Sequence, residues 1–354
     1  MSNNKVKFLL GSNTKRGFYS LFDELQSPID GNRLYIIKGG PGSGKSSLMK
    51  RVIKQLQAKD HNLEYIHCAS DPKSLDAFID YDSKISMVDG TSPHTMDPIY
   101  PGAYDLIINM AECWDDKKLL GKKNEIIALS NIISTCHKMA SSCIKSASAL
   151  LDNNMIMANP FINHDTVNDF TQEIIKELKD SKKGKEKKRL LSAVSVGETV
   201  FFANTISALT TKQYVIPDKW GSASALILSK INRAAKNLGL EQITCYCSIR
   251  TPDKIDHLIF PKAGIAITTA NVFHNTKADN QEVLEDVFKP IPNMENEQMN
   301  LHLDMAKELI TTASKHIERA KLLHDDLEAF YVEAMDFSKV DSIFDKIIKE
   351  IQSF

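Results

Sequence analysis

Short apolar runs alternate with longer segments of helical periodicity through the first hundred residues. The runs at 34–38, 63–67 and 84–88 have the length and composition of buried parallel strands. Between the first two runs, apolar residues recur at helical spacing over 44–58. Because strand, helix and strand follow one another, this region predicts βαβ units and a parallel sheet.

Two further regions have helical rather than strand periodicity. Apolar positions recur at helical spacing from 103 to 155, and again over 295–354, where no proline follows Pro292. We therefore expect long helices in both regions.

The chain also contains an internal repeat. The segment 35–46 has a gapless counterpart at 214–225, which lies 179 residues later. Three further pairs of segments match in the same order, at offsets between 173 and 180 residues: 68–76 with 247–256, 85–94 with 265–274, and 140–147 with 313–320. Four matches in one order predict two tandem copies of one α/β unit, each followed by helices.

Periodicity and repeat together predict five parts. They are an α/β unit at 1–105, a helical segment at 106–180, a basic linker at 181–195, a second α/β unit at 196–294 and a C-terminal helical segment at 295–354. The basic run at 182–189 indicates a solvated linker or an exposed helix end, and the alternative is a docking patch for an acidic partner.

Residues 39–46 carry the Gly-x-x-x-x-Gly-Lys-Ser pattern of a phosphate-binding loop, between an apolar strand and a predicted helix. Glycines let the backbone curve around a phosphate with its N–H groups inward, and the helix N-terminus adds positive potential. Lys45 can reach the β- and γ-phosphates, and the Ser46 hydroxyl is suited to bind Mg²⁺. The predicted nucleotide-binding residues are Gly39, Gly40, Pro41, Gly42, Ser43, Gly44, Lys45, Ser46 and Ser47. The predicted fold class is therefore α/β, with two tandem P-loop NTPase-like units that have parallel sheets.

A phosphate loop also needs a carboxylate near the magnesium ion, usually at the end of an apolar strand. Asp89 ends such a run, although it could instead simply start the turn with Gly90. Asp71 and Asp76 are weaker candidates, because they follow the second strand in a predicted loop or helix start. His94 could sense the γ-phosphate or orient a water molecule, or it could be held by the backbone. The predicted catalytic residues are Lys45, Asp89 and His94, and the predicted metal ligands are Ser46 and Asp89.

The second copy lacks this chemistry. In the gapless alignment, Gly39, Gly44, Lys45 and Ser46 correspond to Asp218, Ala223, Ser224 and Ala225, and Asp89 corresponds to Thr269. The carboxylate of Asp218 would place negative charge near the phosphates, with no lysine to offset it. We expect the second half to be a degenerate site that packs against, regulates or completes the first.

The composition excludes several classes of protein. Hydrophobic residues make up 42% and charged residues 25%, which is the usual mix of a soluble globular protein. With 44 Lys and Arg against 45 Asp and Glu, the net charge is −1, which disfavours a nucleic-acid partner. No apolar run approaches the length of about eighteen residues that a membrane span requires.

Six cysteines without a Cys-x-x-Cys pair are typical of a reducing compartment, and the first residues lack the apolar stretch of a secretory signal. We therefore expect a cytoplasmic protein. A protein partner and the oligomeric state stay open.

Three segments carry a resemblance to a known family: residues 38–47, 67–72 and 89–94. They resemble a group of bacterial P-loop proteins that are labelled ATPase, ATP-binding protein or nucleotide kinase and have a duplicated NTPase unit. The likeness covers most of 7–110 and includes the segments 11–14 and 17–20. Members of that family have a better preserved second P-loop, so their pattern implies two nucleotide sites where this chain has one.

Three functions fit the motif: an ATPase that couples hydrolysis to a conformational change, a small-molecule or nucleotide kinase, and a nucleotide-gated switch with negligible turnover. Kinases usually close an arginine-rich lid over the phosphates. No arginine occurs between Asp89 and Arg189, which favours the ATPase. Arg16, ahead of the loop strand, is a candidate arginine finger or an ordinary surface residue. The expected ligands are Mg²⁺ and ATP, with GTP as the alternative.

Overall fold

The structure is a computed structural model that describes residues 5–27, 31, 33–250, 252–274 and 280–352. The first half contains β1 (Val6–Phe8), β2 (Gly11–Thr14), β3 (Gly17–Ser20), β4 (Arg33–Lys38), α1 (Lys45–Gln57), β5 (Leu63–His67), β6 (Leu75–Asp80), β7 (Ile85–Asp89), β8 (Asp105–Asn109), α2 (Asp116–Gly121), α3 (Lys123–Ala158) and α4 (His164–Leu178). The second half contains β9 (Glu186–Arg189), β10 (Ser192–Val194), β11 (Thr199–Phe201), α5 (Asn204–Leu209), β12 (Lys212–Pro217), α6 (Ser222–Leu238), β13 (Gln242–Tyr246), β14 (Ile255–Phe260), β15 (Ile265–Ala270), β16 (Gln281–Val283), α7 (Asn293–Ala334) and α8 (Phe337–Ile351).

Two six-stranded sheets have the same strand order. The first sheet runs β1-β5-β6-β7-β4-β8, and the second runs β9-β13-β14-β15-β12-β16, which is the same series when each half is counted along the chain. Two short hairpins, β2-β3 and β10-β11, also occupy matching positions. The strand order thus agrees with the repeat in the sequence.

The sheets are mixed rather than parallel throughout. Strand β7 runs parallel to β4, as predicted, but β6 runs antiparallel to both β5 and β7. Strand β8 is also parallel to β4, which corrects the prediction of helix from residue 103 onwards, because Asp105–Asn109 pairs with β4 at the sheet edge. Strand β14 is antiparallel to its two neighbours in the same way. The reason is the short connection at 81–84, which allows a hairpin but not the longer crossover that parallel neighbours need.

The two sheets lie on either side of a shared core. Alternate residues of each strand face opposite sides, so Leu34 and Ile36 of β4 join this central cluster together with Ile259 and Ala266 of the second sheet. On its outer face, the first sheet packs against α1 and α8, and the second packs against α6 and α4. The order of layers is therefore helices, sheet, sheet, helices.

The outer helices are exchanged between the halves. Helix α8 follows the second sheet in the chain but packs on the first sheet through Val340 and Ile347. Helix α4 follows the first sheet but packs on the second through Val167 and Ile174. Each sheet is thus covered in part by a helix that follows the strands of the other sheet in the chain.

Helices α3 and α7, of 36 and 42 residues, pair antiparallel along their length. The Asn154 side chain donates to the Met299 carbonyl at 2.8 Å near one end, and the Lys122 ammonium lies 5.7 Å from the Phe330 ring at the other. The repeated Ala-x-x-x-Ile pattern of the sequence forms part of the buried seam, where small side chains let the helices approach. None of the helices in the described ranges combines the length and the apolar composition that a membrane-crossing helix requires.

The basic segment at 181–195 differs from the solvated linker that the sequence indicates. It contains β9, which pairs with β13 at the edge of the second sheet, and β10. Its Arg189 is one of the largest fully buried side chains. The buried charge is compensated by Glu64 on β5, because Arg189 Nε donates to Glu64 Oε1 at 2.5 Å. The two halves also exchange backbone hydrogen bonds between Leu9 and Leu190. This segment therefore joins the halves through buried contacts.

The Arg189–Glu64 pair has a clear electrostatic signature. Burial disfavours the charged form of Glu64, but the guanidinium of Arg189, the hydrogen bond from Tyr81 and the charge of Lys187 together outweigh burial and lower the pKa of that carboxyl below its ordinary value. A buried pair of this kind is sensitive to the loss of one partner, because the other charge is then left without compensation.

We predict that Glu64→Ala lowers the free energy of unfolding by about 3–5 kcal/mol, since it strands the buried Arg189 charge. Urea unfolding at pH 7 measures the change. The exposed ion pair of Asp341 with Arg51 provides the control, and Asp341→Ala should cost about 1 kcal/mol or less. Equal losses in the two variants would contradict the assignment of Arg189 as the buried link.

The same pair predicts a pH dependence. Because the pKa of Glu64 is lowered by folding, its stabilisation is present above the ordinary glutamate pKa of about 4.3 and is lost as the pH falls through the folded value. Glu64→Gln should therefore flatten the acid side of the stability profile.

Candidate functional site

The phosphate-loop motif forms the connection between β4 and α1. Gly42 and Gly44 have φ angles of 66° and 86°, in the left-handed region where glycine is favoured. Helix α1 begins at Lys45, and no side chain caps its N-terminus among the described residues. Its first N–H groups and its positive end therefore face the loop, which is the arrangement that binds anions.

Lys45 lies folded against its own loop. Its ammonium donates to the carbonyls of Gly39 and Gly40 at 2.9 and 2.7 Å and lies 3.5 Å from Asp89 Oδ2. The side chain is 9% exposed, so this charge is held at the loop rather than in solvent. The structure thus brings Lys45 and Asp89, two of the three predicted catalytic residues, into contact.

Asp89 stands at the end of β7, directly beside the loop strand in the register Ile37 to Asp89. Its two oxygens have different partners. Oδ1 accepts from the Thr91 backbone N–H at 3.0 Å and from the Thr91 hydroxyl at 2.5 Å, while Oδ2 faces Lys45. One oxygen of Asp89 therefore starts the turn and the other faces the loop, and the role of Asp89 as a metal ligand stays a prediction.

The Ser46 side chain forms a hydrogen bond with β6 rather than with Asp89. Its hydroxyl oxygen accepts from the Leu75 N–H at 3.2 Å, which anchors the first turn of α1 to the first residue of that strand. The next residue, Asp76, lies in β6 rather than in the loop or helix start that the sequence suggests.

His94 is buried behind Asp76. Its Nε2 lies 3.6 Å from Asp76 Oδ1, and its ring centroid lies 4.7 Å from that of Phe22. Burial disfavours the protonated ring, but the carboxylates of Asp76 and Asp89 overcome this and raise the pKa of His94 above its ordinary value. With 7% exposure, the histidine is positioned mainly to hold the chain after β7 against β6.

The second half keeps the corresponding aspartate–histidine pair. His274 Nδ1 lies 3.8 Å from Asp256 Oδ2, and its ring packs 5.0 Å from Phe201. These residues align with Asp76 and His94 in the repeat, yet the second half has neither the lysine nor the carboxylate of the first site. A pair that persists without the phosphate chemistry indicates a role in the fold that the two halves share.

The two loops differ in length, which corrects the gapless alignment. Gly221, with a φ angle of 87°, precedes α6 as Gly44 precedes α1. Six residues separate strand from helix in the first half, at 39–44, but only four do so in the second, at 218–221. The residue that occupies the position of Lys45 is therefore Ser222, and Ser224 lies one half-turn further along the helix.

Asp218 fills the second loop with its own carboxylate. Its Oδ1 accepts from the N–H groups of Trp220 and Gly221 at 3.0 and 2.7 Å, and its Oδ2 accepts from Ser224 N–H at 2.7 Å. The residue is fully buried. The amides that a phosphate would use thus already bind an anion that belongs to the chain, which is a stronger block than the charge repulsion that the sequence suggests.

Helix α7 of the second half packs against the first loop, a contact that the sequence does not predict. A Cβ atom added at Gly40 would lie 2.4 Å from the ring of Tyr331, and one added at Gly42 would lie 2.6 Å from the carbonyl oxygen of Glu328. Both glycines stand at positions where the motif accepts any residue. The presence of glycine at these two positions is therefore the sequence signal for the close approach.

The comparisons with known proteins reach only part of the site. A family model described as Nephrocystin 3, N-terminal, matches residues 20–79. That range begins at the last residue of β3 and ends within β6, so it includes the phosphate loop, Ser46 and Asp76 but neither Asp89 nor the second half. No curated protein and no solved structure matches the chain.

The internal anion gives a prediction that can be tested without nucleotide. The test uses a Lys45→Ala background, which removes the cation of the first loop. In that background, Asp218→Ala should lower the free energy of unfolding by about 2–4 kcal/mol, because it leaves buried N–H groups without an acceptor. Added formate, the smallest carboxylate, should restore part of the loss by binding the same amides. Thermal unfolding with and without formate measures both effects.

Asp253→Ala is the matched control, since Asp253 is a partly exposed carboxylate with surface ion pairs to Lys15 and Arg16. It should cost about 1 kcal/mol or less and show no formate dependence. A formate effect of equal size in the two variants would disprove the assignment of Asp218.

Proposed function

We propose that this protein is a Mg²⁺-dependent P-loop nucleoside triphosphatase with one active site, formed by the loop at 39–46. The observation that carries the proposal is the contact between Lys45, the first residue of α1, and Asp89, which ends the strand beside β4. Among the residues that the structure describes, no side chain caps the N-terminus of that helix. This combination of cation, carboxylate and inward amides suits a triphosphate with its magnesium ion. ATP is the proposed substrate, with GTP as the alternative.

Each residue has a defined part in the proposed reaction. The Lys45 ammonium leaves the loop carbonyls and Asp89 to contact the β- and γ-phosphates, while Ser46 and Asp89 hold the metal ion. A bound Mg²⁺ supplies charge neutralisation at the phosphate oxygens. Water attacks the γ-phosphorus and gives its proton to a γ-phosphate oxygen, the bond to the bridging oxygen breaks, and inorganic phosphate is released. The loop amides and Lys45 offset the charge that passes to the leaving diphosphate.

The surroundings of the loop support coupling to a conformational change. Any shift of Gly40 or Gly42 on binding would press on α7, because Gly40 lies against the Tyr331 ring and Gly42 against the Glu328 backbone. Helix α7 belongs to the second half and pairs with α3 of the first, so the movement would reach both long helices. The proposed cycle therefore links nucleotide binding to the long helices.

A nucleotide-gated switch with negligible turnover is the second candidate. It is favoured by His94, the predicted water-orienting residue, which is buried and held by Asp76 and Phe22. Such a site would bind nucleotide and change shape without rapid hydrolysis.

Phosphate release from Mg-ATP and Mg-GTP tests the proposal. We predict that Lys45→Ala lowers turnover at least about 100-fold, because it removes the main cation at the developing charge. Asp89→Asn should raise the Mg²⁺ concentration needed for half-maximal turnover, because it weakens the metal site.

Lys50→Ala is the control, since Lys50 lies on the exposed face of α1 and, among the described residues, its ammonium donates a hydrogen bond only to the Lys73 carbonyl. Its turnover should match that of the wild type. Turnover that survives in Lys45→Ala would disprove the site, whereas nucleotide binding without turnover in the wild type would favour the switch.

A further inference from the structure

Three partly exposed aromatic side chains surround one side of the phosphate loop. Tyr331 of α7 lies against Gly40, and Phe337 at the start of α8 lies so that a Cβ atom added at Gly44 would be 3.7 Å from its ring. Trp114, after β8, contacts Tyr331 edge to face, with ring centroids 5.8 Å apart. Tyr331 and Trp114 are therefore in contact with each other, and Phe337 lies against the same loop at Gly44.

Phe337 is 45% exposed, although it begins an amphipathic helix whose other apolar residues, such as Val340 and Ile347, are buried on the sheet. An aromatic ring that is left nearly half in water beside a ligand site is available for contact with the ligand. Among the described residues, large exposed apolar side chains are common on the long helices, but Phe337 is the one whose ring lies against Gly44.

The position of Asp89 determines the orientation of a bound nucleotide. Strand β4 lies between β7, which ends at Asp89, and β8, which ends at Asn109 opposite Lys38. A triphosphate whose terminal phosphate and metal ion are at Asp89 has its nucleoside directed away from β7. That side is occupied by the chain after β8, which carries Trp114. The end of α7 and the start of α8 lie beside this segment.

We propose that Tyr331 and Phe337, supported by Trp114, form the base-binding surface for the purine ring of a nucleoside triphosphate, an inference that rests on the proposed function. Bases stack on aromatic rings through their π faces. The phosphate loop belongs to the first half of the chain and the two rings to the helices after the second sheet. A nucleotide that binds the loop and stacks on the rings thus contacts both halves.

This surface recognises a base by its faces rather than by its edges. Stacking tolerates different bases, because every base has a π face. We therefore expect ATP and GTP to bind with similar affinity, and both to bind more tightly than inorganic tripolyphosphate, which has the same phosphates without a nucleoside.

Titration calorimetry with Mg-ATP and with Mg-tripolyphosphate tests the proposal on the full chain. In Tyr331→Leu and Phe337→Leu, the leucine keeps an apolar contact but removes the ring. Affinity for ATP should fall roughly 5- to 100-fold in each, while affinity for tripolyphosphate stays unchanged. Tyr331→Phe should retain the affinity of the wild type, and Val332→Ala, at the exposed neighbouring position, should behave as the wild type.

The outcomes separate this inference from the proposed function. If the wild type binds tripolyphosphate but ATP no more tightly, or if both affinities fall together in the leucine variants, the rings support the loop and the base surface is disproved. If the wild type binds neither ligand, the phosphate site itself is disproved and the base surface with it.

Discussion

Backbone N–H groups that converge at a strand–loop–helix turn require an acceptor, and the two halves of this protein meet that requirement differently. In the first half, glycines shape the loop, and within the described part of the chain no side chain caps the N-terminus of α1, beside which Lys45 and Asp89 lie. In the second half, Asp218 supplies a carboxylate from the chain itself. The same fold thus produces one loop that is open to an external anion and one that is already satisfied.

The second half, whose loop amides bind Asp218, contributes structural contacts to the first half. Its strand β9 holds Arg189 against Glu64, its helix α8 covers the first sheet, and its helix α7 packs against the loop glycines. These contacts place the one complete loop motif of the sequence at a boundary between the halves.

The sequence predicts the parts of the site that depend on local pattern. The loop motif, the strand that ends at Asp89 and the long helices follow from residue type and spacing, and all three elements occur as expected. The prediction fails where tertiary contacts decide. Strand β6 carries Asp76 and Asp80, a residue type that is depleted in strands and common in loops. Arg189 is buried by one distant partner, and a two-residue difference between the loops is invisible in a gapless alignment. The contact of α7 with Gly40 joins positions nearly three hundred residues apart, so no local signal specifies it.

The number of nucleotides bound per chain tests the central claim most directly. Equilibrium dialysis of the wild-type protein with Mg-ATP should give one bound nucleotide per chain, because Asp218 occupies the second loop. Two bound nucleotides would contradict the account of Asp218 as an internal anion. No bound nucleotide would contradict the assignment of the first loop as a phosphate site.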